Sequence, residues 1–151
     1  MTLSNLDDVY RDRVILDHCR HPRNQRQLDS ADISADGVNP FCGDEVHLRI
    51  ALDIGGKVKE VGYQGVGCAI NQASGSILSE MIKGRDVYGI QALIESFERA
   101  MLAEETAIDE MVHTIGQAAA LMRVREFPIR IKCVLLGWVA VREGIMGFLC
   151  K

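Results

Sequence analysis

Residues 45–54 read EVHLRIALDI, and this decapeptide constrains the fold more than any other stretch of the chain. Val46, Leu48, Ile50, Leu52 and Ile54 alternate with Glu45, His47, Arg49, Ala51 and Asp53. Successive side chains of a strand point to opposite faces, so a period of two predicts a strand with one buried face. Gly55 and Gly56 follow and can take the positive φ angles of a tight hairpin turn, with 57–66 as the return strand. In that return Val58 is out of phase with Val61 and Tyr63, which predicts a β-bulge.

The rest of the chain changes period. Ser4 and Asp7 form a capping-box pattern ahead of Leu6, Val9, Tyr10 and Val14, a first helix that should stop by Pro22. Residues 22–40 are polar and suit a connection with a short strand near Ile33. After GVGC, Ile70, Ala73, Ile77, Leu78 and Met81 form an apolar helical stripe, with Gly84 placed as its C-terminal cap. A further helix follows Asp86, carrying Ile90, Leu93, Ile94, Phe97 and Met101 on one face. The next is predicted from Thr106, with Asp109 completing a second capping box and Ile108, Met111, Val112, Ile115, Ala119 and Met122 as its stripe. The last begins beyond Pro128, with Ile131, Leu135, Trp138 and Arg142 along it.

Strands early and helices late predict an α+β fold, a small antiparallel sheet of about three strands packed against a layer of helices. At 151 residues, with no repeat, low-complexity tract or long linker, residues 1–151 are expected to form a single domain. A net charge of −4 provides no basic footprint, which points away from nucleic acid. No apolar run approaches the ~18 residues of a membrane span, and the polar start lacks a signal-peptide pattern, so a cytoplasmic setting is expected.

In a reducing compartment, the five cysteines at 19, 42, 68, 133 and 150 are more often metal ligands, reactive thiols or packing residues than disulfides. Cys42 lies in NPFCGD, just before the alternating strand; Cys68 precedes a helix; Cys133 lies near the start of the final helix. Helix starts offer N–H groups and a positive dipole end, which favour a thiolate, and Arg130 and Lys132 could add to this. Asp44 would complete a Cys₃Asp set suited to Zn²⁺, with Gly43 letting its two neighbours face one point. This spacing lacks the specificity of two CxxC knuckles, and three cysteines packed as small hydrophobes is the competing interpretation.

Four segments in order, YRDRVILDHCRHPRN, NPFCGDEVHL, GVGCAINQASGSILSEMIKG and RIKCVLLGW, together resemble the iron–sulfur assembly family of IscU scaffolds, NifU N-terminal domains and SufU. The likeness runs from about residue 10 to 145. It implies that Cys42, Cys68 and Cys133 are the essential thiols, that Asp44 is the aspartate associated with cluster release or metal binding, and that the fold is α+β. Two departures point to the SufU branch. Lys132 stands where IscU scaffolds carry a histidine, and 64 residues separate Cys68 from Cys133, as in the longer SufU spacing.

The resemblance then implies a zinc-bound sulfur acceptor that takes persulfide sulfur from a cysteine desulfurase of the SufS or IscS kind and passes it to the downstream iron–sulfur assembly machinery. What the resemblance implies is a sulfur carrier or scaffold, at most a zinc-dependent sulfurtransferase acting with that desulfurase. Cys42 is the implied persulfide acceptor, and Cys42, Asp44, Cys68 and Cys133 the metal ligands, with Lys132 and Arg130 supporting. In the alternative, a scaffold for a transient [2Fe–2S] cluster, Cys133 is the implied acceptor. A module that kept the fold and lost the chemistry is a third class, against which the intact four-residue set argues.

Cys19 and Cys150 match no ligand position and read as packing or incidental thiols. His18, His21 and His47 read as surface or structural groups, with His47 near enough to Cys42 to keep in view. Trp138 reads as core. Gly65-x-Gly67 lacks the third glycine of a dinucleotide fingerprint.

Overall fold

The computed structural model describes Val9 and residues 12–102 and 115–151. Three strands, β1 (Ile33–Asn39), β2 (Asp44–Leu52) and β3 (Val58–Val66), form an antiparallel sheet in the order β1-β2-β3. Among the described residues four α-helices accompany it: α1 (Arg13–Arg20), α2 (Ala69–Met81), α3 (Val87–Leu102) and α4 (Pro128–Leu149). A 3₁₀ helix over Gly116–Glu126 precedes α4. The α+β expectation and its three strands hold. Among the described residues no helix is long and apolar enough to cross a membrane.

The alternation reads out directly in β2, where Val46, Leu48 and Ile50 are buried. It ends sooner than the pattern predicts, because Ile54 is fully exposed in the hairpin loop. That loop is closed by Asp53, which donates its N–H to Lys57 O, accepts the Lys57 N–H on its carboxylate and accepts the Gly56 N–H on its carbonyl. Of the two glycines only Gly56 takes a positive φ, +82°. The predicted bulge is present: Ala51 pairs with Glu60 but Leu52 with Val58, leaving Lys59 as the extra residue, so Val58, Val61 and Tyr63 all turn inward.

Helix α1 is capped by Asp12, whose carboxylate accepts from the N–H groups of Val14 and Ile15 at 2.9 and 3.3 Å. The Ser4–Asp7 capping box lies outside the described residues, as does the Thr106 helix start with its Asp109 box. The described end of that third segment is a 3₁₀ helix rather than the expected α-helix. Gly116 enters it at φ +50°, and Phe127 leaves it extended, as the residue before a proline must be. Pro128 then serves as the first residue of α4, where its missing N–H has no helical partner to lose.

Helix α4 lies against the sheet and α2, and its Trp138 is the largest fully buried side chain. The indole stacks on Phe97 of α3 at a centroid distance of 3.9 Å and donates Nε1–H to Ser74 Oγ of α2 at 2.9 Å. Ser74 Oγ in turn donates to Val134 O at 2.6 Å. A polar seam thus fixes α2 against α4 inside an apolar core, with every hydroxyl and indole proton matched. That seam sets the position of Cys68 at the start of α2 relative to Cys133 near the start of α4.

Candidate metal and thiol site

Asn39 and Asp44 stand opposite each other at the end of the β1–β2 ladder, so residues 40–43 form the hairpin tip. Gly43 donates its N–H to Asn39 O at 2.8 Å and takes φ +75°, a left-handed conformation that costs glycine little. That turn leaves Cys42 exposed while the next residue but one, Asp44, is only 1% exposed. Thiol and carboxylate nevertheless face the same point. One ligand atom each from Cys42, Asp44 and Cys133 lie within 4.8 Å of one another.

Cys68 reaches this set through Asp44. It is the N-cap of α2, its Sγ accepting the Asn71 N–H at 3.4 Å. Its own N–H donates to Asp44 Oδ1 at 2.9 Å, and its Sγ lies 3.6 Å from Oδ2. Cys133, in the second turn of α4, is 2% exposed. The four residues singled out in the sequence therefore converge, with the carboxylate at the centre and the thiols around it.

The protonation balance inside the site is lopsided. Burial acts to raise the Asp44 pKa, but the Cys68 N–H and hydrogen bonds from the Cys42, Cys133 and Cys68 thiols outweigh it, and the net shift is downward. The Cys133 thiol is pushed up to about 12, first by burial and then by the Asp44 carboxylate and Cys68 beside it. In the metal-free protein the proton thus stays on the sulfur of Cys133. This corrects the expectation that helix dipole, Arg130 and Lys132 would favour a Cys133 thiolate. The reason is burial beside a carboxylate: Cys133 is almost fully enclosed next to Asp44, and the Lys132 ammonium stands 5.8 Å from the centroid of the Phe41 ring.

Lys132 and Arg130 line a cavity of about 400 Å³ together with Asn39, Phe41, Cys42, Pro128, Ile129 and Cys133. Phe41 is 90% exposed and Ile129 84%, so the entrance to the thiols is rimmed by apolar side chains. Neither was singled out in the sequence, because a lone aromatic in a turn carries no periodic signal.

Two further residues escaped the sequence reading. Gly67 takes φ +123°, and a Cβ there would stand 1.9 Å from Asp44 Oδ1. The glycine leaves the space that the carboxylate occupies; its signal was the second glycine of GVGC, directly before the cysteine. Asn71, three residues after Cys68, is buried, and a polar residue within a helix carries no local signal of that.

The residues set aside fall outside the site. Strand alternation puts His47 on the opposite face from Asp44, where it pairs with Asp36 at 2.7 Å. His18 is buried, its Nδ1 2.7 Å from Ser76 Oγ and its Nε2 3.1 Å from Gln117 Oε1. Cys19 donates its thiol to Ala69 O at 3.1 Å. Cys150, at the far end of α4, is separated from Cys133 by roughly 25 Å of helix at about 1.5 Å per residue.

Comparison with known proteins places this arrangement. Residues 9–151 match the family model of the NifU-like N terminal domain. Over 142 residues the chain is 38% identical to the zinc-dependent sulfurtransferase SufU of Bacillus subtilis (strain 168), covering 94% of this chain and 92% of that protein. It is 32% identical to the iron–sulfur cluster assembly scaffold protein IscU of Streptococcus pyogenes serotype M1, over 96% of this chain and 87% of that one. The crystal structure of FiSufU, described as a scaffold protein for the SUF system of Fervidobacterium islandicum AW-1, superposes with a TM-score of 0.82 at 28% identity, covering 93% of this chain and 99% of that chain.

Proposed function

The chain belongs to the NifU-like N terminal domain family as a SufU-like member, and from that premise we propose that it is the sulfur acceptor of an iron–sulfur cluster assembly system. Its donor is a cysteine desulfurase, its acceptor is Cys42, and its resident metal is zinc held by Cys42, Asp44, Cys68 and Cys133. The donor set supports this choice, since the Cys42 and Cys133 thiols and the Asp44 carboxylate lie within 4.8 Å of one another with the Cys68 sulfur 3.6 Å from that carboxylate, a set that suits a tetrahedral divalent ion of borderline softness. When bound, zinc would supply the charge that keeps these thiols deprotonated at neutral pH.

The observation that carries the reading is the contrast in exposure around one carboxylate. Cys133 is buried and Cys68 is half-buried at a helix cap, whereas Cys42 sits exposed on a hairpin tip beside a glycine. Cys42 is thus the thiol that a donor protein can reach and that the chain can move. Its thiolate attacks the outer sulfur of the donor's persulfide; the donor's S–S bond breaks, a new S–S bond forms on Cys42, and the donor sulfur leaves as a thiolate. Nothing is oxidised or reduced overall. Lys132 and Arg130 at the cavity place positive charge where that anionic chemistry happens, and Phe41 and Ile129 offer an apolar surface to the donor.

The alternative, a scaffold carrying a [2Fe–2S] cluster as cargo, uses the same residues and is supported by the likeness to IscU. It takes Cys133 as the acceptor, and the burial of Cys133 weighs against it. The deciding experiment is metal and acid-labile sulfide content after anaerobic purification, followed by incubation with a desulfurase and cysteine and peptide mass mapping. Zinc without sulfide, and an added sulfur atom on the Cys42 peptide that is lost in Cys42→Ser, is the expected result. Iron with matching sulfide, or the added sulfur on Cys133, would overturn it in favour of the scaffold.

A further inference from the structure

Asn71 lies in the first turn of α2, is 1% exposed, and belongs to none of the donor groups described above. Its side-chain Nδ2 donates to two main-chain carbonyls, Glu45 O and Val66 O, each at 3.2 Å. Its backbone N–H donates to Cys68 Sγ. Glu45 and Val66 are direct partners in the β2–β3 register. One amide therefore straddles the last rung of the ladder.

What lies just past that rung is the site itself. The next residue outward on β2 is Asp44; on the other side the chain continues through Gly67 to Cys68. At this level the link across is made by a side chain, with the Cys68 N–H donating to Asp44 Oδ1. Gly67 lies against Asp44 with no room for a side chain, since a Cβ there would stand 1.9 Å from Oδ1. The spacing of Cys68 and Asp44 is thus set by how far the two strand ends stand apart, and Asn71 spans that gap.

We propose that Asn71 is a positioning residue for the thiol–carboxylate site: its amide clamps the ends of β2 and β3 to the start of α2 and so sets the separation of the Asp44 carboxylate from the Cys68 sulfur. A primary amide has two N–H donors on one nitrogen, and both carbonyls are served. Aspartate has no donor to offer there, leucine has no polar atom, and glutamine carries its amide one methylene too far. Partners that orient ligands from outside the donor set typically cost 10–100-fold in metal affinity when removed. The inference rests on the zinc site proposed above.

The test compares the full-length wild type with Asn71→Leu and Asn71→Gln. Zinc affinity is measured by competition with a chromophoric chelator, cobalt(II) substitution reports the donor geometry by absorption, and thermal melts of the metal-free proteins report folding. Zinc binding about 10–100-fold weaker, with an altered cobalt spectrum in a variant that still melts cooperatively, is the expected result. Asn71→Gln keeps a polar amide and guards against a leucine variant that does not fold. Zinc affinity within about twofold of wild type and a superimposable cobalt spectrum in a folded variant would overturn the role of Asn71 alone. A wild type that takes up neither metal would overturn the zinc site and, with it, this inference.

Discussion

Cys68 and Asp44 hold each other in place: the cysteine N–H donates to Oδ1 at 2.9 Å while its sulfur lies 3.6 Å from Oδ2. The main-chain bond orients the carboxylate, and the carboxylate in turn faces three thiols. Most of what the site is expected to do follows from keeping that one contact intact.

Gly67→Ala should break it. The new methyl would stand 1.9 Å from Asp44 Oδ1 at a backbone φ of +123°. A non-glycine residue forced into such a region costs of order 1–3 kcal/mol. The carboxylate must also leave its place. Urea denaturation should show the stability loss, and zinc content should fall in parallel. Full zinc retention would mean that Asp44 can serve from another position.

Asp44→Ala should weaken zinc retention and slow sulfur transfer, because one of the four proposed donors is lost and the Cys68 N–H loses its acceptor. Zinc uptake should also tighten as pH rises, since the proton on Cys133, held by a thiol pushed up to about 12, must leave for that sulfur to act as a ligand. Titrations at several pH values check the sign. Zinc affinity unchanged in the alanine variant would remove Asp44 from the donor set.

Phe41→Asp and Ile129→Asp should raise the KM for a desulfurase donor while leaving zinc content as it was. Both side chains are exposed and border the cavity that opens on Cys42. Truncation of a hot-spot residue in an interface costs about 2 kcal/mol or more, at least tenfold in affinity. Loading from a small-molecule persulfide should be little changed. Equal effects on both donors would place these residues in the chemistry instead of the docking.

Stability should fall in acid through His18. Burial holds its pKa below the ordinary 6.5, with the Gln117 hydrogen bond opposing. The folded state keeps the imidazole neutral, while the unfolded chain takes up a proton near its ordinary value. The contribution is therefore complete above about pH 6.5 and is lost as pH falls through that value toward the depressed one. Chemical denaturation from pH 7.5 to 5 should show a decline that is flattened in His18→Gln. An identical pH dependence in that variant would assign the decline to other groups.

The regular elements were legible because their signal is local. Val46, Leu48 and Ile50 announce their face by period, the phase error at Val58 announces the bulge, and Ile90, Leu93, Ile94 and Phe97 mark a buried helix face. Where local signals compete, the reading slipped. Ile54 continued the alternation past the point where Asp53 and Lys57 closed the loop. The helical stripe through Ala119 and Met122 gave no sign of the 3₁₀ geometry between Gly116 and Pro128.

Residue type and order by themselves determined the donor chemistry: a thiol and a carboxylate around a glycine, two more thiols at helix starts, and motifs in the order of a known family. Tertiary structure alone decided how those groups divide the work. It buried Cys133 and left Cys42 outside, sent the Lys132 ammonium to an aromatic ring, joined Asn71 to the ends of β2 and β3, and set Gly67 against Asp44. The physical reason is one of range. Periodicity and turn chemistry act over a few residues, whereas burial and hydrogen-bond partnership depend on segments more than 20 residues apart, such as Asp44 with Cys68 and Ser74 with Trp138.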